Sequence, residues 1–100
     1  KRKAELRAQA GKRWDRRYRV VIFDISIKRK GLRDRLRRVM KECGFVQIQK
    51  SVWLHPYDCE ELMALIKADL HIGKDVSYMV VEEIENDGWI RKHFKLPERT

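Results

Sequence analysis

The side chains best placed to do chemistry begin with one carboxylate. Asp24 stands near the end of residues 18–26, YRVVIFDIS, where Val20, Val21, Ile22, Phe23 and Ile25 are β-branched or aromatic. So short and β-rich a run reads as a buried central strand. An unpaired carboxylate inside such a strand costs roughly several kcal/mol. Asp24 is therefore expected at the sheet rim in water, paired with a cation, or holding a metal. Arg29, Arg33 and Arg35 are the cations near it in sequence.

The second set is cationic. Arg33, Arg37 and Lys41 are spaced four apart, so on a helix they stack along one face. Like charges at that spacing repel. The plain reading is a solvated face, and the sharper one is a ridge that tracks phosphates, which the planar fork of arginine suits. Arg38 lies beside this ridge and Arg29 and Lys30 just before it, which gives Arg29, Lys30, Arg33, Arg37, Arg38 and Lys41 as the nucleic-acid candidates. His55, His71 and His93 are dispersed without metal-ligand spacing. Ser26 has no histidine at a useful motif distance, and no glycine-rich phosphate loop or nucleotide fingerprint occurs. Trp53 and Tyr78 could stack on bases, although strand aromatics in a small domain are more often core. Glu82, Glu83 and Glu85 form an acidic cluster suited to salt bridges with a basic helix, including one across a dimer.

The whole chain frames these residues. One hundred residues make one domain, and an apolar fraction of 43% supplies a core. The net charge of +9 is unevenly placed: residues 1–42 carry 17 basic and 5 acidic side chains, residues 43–100 carry 7 and 10. A basic surface on a nearly neutral body favours a polyanion partner, most often nucleic acid. No apolar run approaches the roughly 18 residues of a membrane span, and no signal peptide is present. Cys43 and Cys59 form no CxxC pair and read as small core residues in a reducing compartment, with a disulfide between them left open. The expected location is the cytoplasm. The chain opens at Lys1 without Met, as a piece of a longer protein would.

The elements that must position the site follow in order. Residues 1–16 read as a basic linker or frayed helix, with Trp14 packing onto the domain edge. Strand one covers about residues 17–25. A helix over 31–43 carries the apolar stripe Leu32, Leu36, Val39, Met40 and Cys43, and Gly44 ends it. Residues 45–55 are extended, either as two short strands meeting near Lys50 or as one long kinked strand. Residues 57–70 form a second helix with a capping-box-like start at Asp58 and Glu61. Its expected buried stripe is Leu62, Leu65, Ile66 and Leu70, with Cys59 and Met63 beside it. Residues 76–84 are the last strand, 86–88 a turn, and Trp89, Ile90 and Phe94 mark an amphipathic tail that packs back or meets a partner. The order predicts an α+β domain over residues 17–95, with 96–100 a polar tail. Its form is a ferredoxin-like βαββαβ sandwich with both helices on one face of an antiparallel sheet and a C-terminal extension. The other sheet face is then expected to be exposed in a monomer and covered by a dimer or a ligand.

Three pieces of the sequence, VIFDIS, LRDRLRRVMKECGF and QKSVWLHPYDCEEL, resemble the small CRISPR-associated endonuclease of spacer acquisition, and more closely the Cas-two-like domain of PaaX-type transcriptional repressors. The likeness spans about residues 14–94, and the SVW segment with HPYDCE is its most specific part. The resemblance implies a homodimeric domain of a DNA-binding regulator, double-stranded DNA as partner, a winged helix upstream and no required cofactor. In the nuclease branch it implies that Asp24, brought together with its copy, holds a divalent metal such as magnesium and is catalytic, or that the chain serves as an adaptor for a CRISPR integrase. A dimerisation module without enzymatic activity is the third alternative.

Overall fold

The computed structural model describes residues 13–97. Strand β1, Tyr18–Phe23, is buried along nearly its whole length because β-branched and aromatic side chains occupy both of its faces. A single 3-10 turn, Ile27–Arg29, follows, and Ser26 Oγ caps it by accepting from Lys28 N at 3.2 Å. Helix α1 is Lys30–Glu42. Gly44, at φ 90°, ends α1: its N–H donates to Lys41 O and that of Phe45 to Met40 O, a Schellman closure that turns the buried Phe45 back onto the helix.

Strands β2, Val46–Gln49, and β3, Val52–His55, pair antiparallel across Lys50 and Ser51, with a register shift between Gln47 and Gln49. The two-strand reading of residues 45–55 thus holds. Helix α2 is Glu60–Leu70, then a 3-10 turn, Gly73–Asp75, leads into β4, Val76–Val81. Helix α3, Gly88–Phe94, completes the order. The expected capping box does not form: Asp58 Oδ1 accepts from Glu60 N at 3.0 Å, an Asx-type turn ahead of the helix. The expected last strand is also shorter, ending at Val81 where the run of glutamates begins.

The four strands form one antiparallel sheet in the order β2-β3-β1-β4. The domain is therefore α+β with a four-stranded antiparallel sheet. Among the described residues three helices and two one-turn 3-10 segments accompany it, where the sequence reading had two helices and a tail. Helices α1 and α2 cover one face, where Val21, Phe23, Trp53 and Val76 meet Leu36, Met40, Cys43, Leu62, Met63, Ile66 and Leu70. Leu65 is exposed rather than buried, and Met63 takes its place. At about 100° per residue, Cys59, Leu62, Met63, Ile66 and Leu70 share one face, and Leu65 points well outside it.

The opposite face is not bare, contrary to the sequence expectation. Trp14, Tyr18, Val20, Leu54, Ile90 and Leu96 form a second core there, so α3 and the segment before β1 lie over part of the sheet. Ile22, Ile48 and Val52 remain half-buried at its margin, and Met79 on the same face is exposed. Among the described residues no helix is long and apolar enough to cross a membrane.

Candidate nucleic-acid interface

Helix α1 owes its two-sidedness to its spacing. Leu36 and Met40 turn inward, which leaves six cations and two carboxylates distributed over the remaining arc. Lys30, Arg38 and Lys41 are exposed, and Arg33 and Arg37 are half-buried. Arg33 and Arg37, one turn apart, line a small notch together with Phe23, Ile25, Lys50 and Ser51. The notch is thus walled by α1, the end of β1 and the β2–β3 turn. Arg37 Nη1 lies 3.6 Å from Asp34 Oδ1, a half-exposed pair that contributes little. Arg29 is drawn away from the ridge by Asp75, at 3.3 Å. The structure therefore brings Arg33 and Arg37 together, keeps Lys30, Arg38 and Lys41 in solvent, and ties Arg29 to the β4 approach.

Asp24 lies just past the end of β1 and is exposed. Its N–H donates to Asp75 O at 2.8 Å. Among the described residues its carboxylate meets no cation, so of the placements the sequence left open the chain shows the rim position in water rather than a pairing with Arg29, Arg33 or Arg35. Among the described residues no three His, Cys, Asp or Glu side chains converge on a point. Asp24 by itself is a thin ligand set for a hard cation.

The remaining candidates are structural. Trp53 is fully buried, and among the described residues its indole N–H has no hydrogen-bond partner. Tyr78 is half-buried, and its hydroxyl accepts from Cys59 N at 3.3 Å. Burial foremost pushes the Tyr78 hydroxyl well above the usual phenol range. Cys43 and Cys59 are buried, and burial pushes the Cys59 thiol up to about 12. His55 is buried in a ring of aromatic groups formed by Phe45, Tyr57 and Phe94. Its Nδ1 accepts from Tyr57 N at 3.1 Å, and desolvation brings its pKa down to about 4. Glu82 pairs within its own chain, 3.9 Å from Arg17.

Sequence reasoning missed two polar clusters that hold the platform. Buried Arg19 takes Asp15 in a fork, at 2.9 and 2.7 Å, and donates to Pro56 O at 3.0 Å. That side-chain bond holds the Asp15 carboxyl below its ordinary range. Asp87 Oδ2 accepts from Tyr18 OH at 2.7 Å and from Arg91 Nε at 2.9 Å, while the Arg91 guanidinium sits 5.0 Å over the Trp14 ring. The four-residue spacings of Asp15 with Arg19 and of Asp87 with Arg91 were the available signal. Lys50 was read only as a bend, and nothing local in the sequence links it to α1.

These features can be set beside known proteins. Residues 11–92 match the family model described as the PaaX protein central Cas2-like domain. No curated protein and no solved structure matches the chain. A match over four-fifths of the sequence, including β1 with Asp24 just past its end, all of α1 and the β2–β3 hairpin, places this chain in the family of PaaX central Cas2-like domains.

Proposed function

We propose that the chain is the nucleic-acid-associated, dimeric domain of a PaaX-type transcriptional regulator, a cytoplasmic protein that acts on double-stranded DNA with a winged helix upstream of this domain. The observation that carries the reading is the cationic outer arc of α1, six cations against two carboxylates, in a chain of this family. Contacts of this kind neutralise phosphates and fix orientation, so they give salt-dependent affinity rather than choice of sequence. The element order and the strand order β2-β3-β1-β4 support the ferredoxin-like reading, with α3 as an extension. The partly open margin at Ile22, Ile48, Val52 and Met79 is where a second copy would meet the sheet.

A second reading, a metal-dependent nuclease or integrase adaptor, draws on one observation: Asp24 is exposed at the rim and meets no cation among the described residues. Both readings are tested on the chain with a 20–30 base-pair duplex, an order-of-magnitude site length for a small dimer. Fluorescence anisotropy should give a log-log decrease of affinity with salt, and sedimentation should give a dimer. Duplex integrity should be unaffected by magnesium, and Asp24→Asn should leave affinity unchanged. Magnesium-dependent cleavage that disappears in Asp24→Asn while binding persists would establish the nuclease instead.

A further inference from the structure

We infer that the notch between α1 and the β2–β3 turn is a phosphate-binding site in which Arg33, Arg37 and Lys50 supply the charge. The inference deepens the nucleic-acid reading above and rests on it for the source of the phosphate. Three cations from two separate elements line one small depression with Phe23, Ile25 and Ser51, and no carboxylate is among its lining residues. Asp24 sits in sequence between Phe23 and Ile25 yet does not line it, so the acid just past β1 contributes no carboxylate to the notch. Asp34 meets Arg37 from outside the notch, 3.6 Å away in a half-exposed pair, and among the described residues Arg33 and Lys50 meet no carboxylate, so like charges still face each other across the notch and an anion relieves their repulsion.

The site is also held in shape. Gln47 Nε2 donates to Lys50 O at 2.9 Å, and Phe23 N donates to Ser51 O at 2.9 Å, so the hairpin turn is tied both to its own strand and to β1. Phe23 and Ile25 pack into the helix-covered core, which fixes the floor of the notch. Arg33 and Arg37 are half-buried, so their stems are already confined and less rotamer freedom is lost on binding. The Ser51 hydroxyl can donate to a phosphate oxygen, and the arginine forks match its geometry. Lys50 is the residue no sequence pattern assigned. It extends the α1 ridge around the end of the sheet.

The test compares Lys50→Gln and Arg33→Gln with Lys92→Gln, which removes the same charge from exposed α3 on the other sheet face. Duplex affinity at about 100 mM salt should fall roughly three- to tenfold for each notch variant, with the log-log salt slope reduced by about one, and Lys92→Gln should move neither. A parallel titration with inorganic phosphate, followed by amide shifts at Lys50 and Ser51, separates free phosphate from a nucleic-acid backbone. Unchanged duplex affinity in both notch variants, with Arg38→Gln weakened, would overturn the notch and leave the nucleic-acid reading standing. No duplex binding by the parent chain, with saturable phosphate shifts at Lys50 and Ser51, would keep the notch and sink the nucleic-acid reading. Neither duplex binding nor phosphate shifts would overturn both.

Discussion

Replacing Asp87 should loosen α3 from the sheet more than any other single polar change on that side. Asp87 is almost fully buried and accepts from Tyr18 OH and Arg91 Nε through one oxygen. Asp87→Ala strands the Tyr18 hydroxyl in a core, which costs roughly 1–3 kcal/mol. It also removes the partner of a guanidinium whose side chain is 12% exposed. Stranding a buried charge outright costs roughly 3–5 kcal/mol, but Arg91 keeps the Pro97 carbonyl and the Trp14 ring, so the combined loss is set at about 3 kcal/mol. Tyr18→Phe removes one hydrogen bond and leaves Asp87 paired, a loss of about 1 kcal/mol. The double variant has no stranded hydroxyl, so it should be no less stable than Asp87→Ala alone, a coupling of about 1 kcal/mol. The assay is equilibrium urea unfolding. With a slope of roughly 1.5 kcal/mol per molar, Asp87→Ala should lower the midpoint by about 2 M. A midpoint shift under roughly 0.5 M, or strictly additive single changes, would refute the reasoning.

Two histidines give further outcomes. The His55 pKa falls from 6.5 to about 4 in the fold, so the unfolded chain binds the extra proton between those values. Stability should be full above about pH 6.5 and drop by about 3 kcal/mol as pH falls to about 4. Chemical unfolding across that window should show the slope, and His55→Gln should flatten it. His71 closes α2 at φ 54° with its N–H donating to Ala68 O, a left-handed position that costs a non-glycine residue roughly 1–2 kcal/mol. His71→Gly should raise stability by about 0.5 kcal/mol after the added chain entropy is deducted, readable as a melting temperature higher by roughly 2–4 °C. A lower melting temperature would contradict the cap assignment.

Much of this was legible in the chain. The periodicity of Leu32, Leu36, Val39, Met40 and Cys43 marked the inward face of α1, and by elimination its cationic arc, because 3.6-residue spacing leaves no alternative. Gly44 marked the end of α1 because few other residues tolerate φ near 90°. What the sequence hid was long-range. Asp24 had three cations near it, yet Arg29 goes to Asp75, a residue brought alongside only by the pairing of β1 with β4. Tyr18 meets Asp87 across 69 residues. Leu65 was misread because two apolar positions competed for one stripe and Met63 lay nearer its centre. The tail at Trp89, Ile90 and Phe94 had two expected fates, and packing back won through Ile90 and Leu96 while Trp89 stayed half in solvent.

The two cysteines carry a practical consequence. Cys43 and Cys59 sit buried in the layer between the sheet and helices α1 and α2. The Cys59 thiol, held near 12, is almost entirely protonated at neutral pH, and the thiolate is the form that alkylates. Maleimide or iodoacetamide should thus react only when α1 or α2 lifts away from the strands. The native chain carries a built-in clock for that opening, readable by mass without any engineered label.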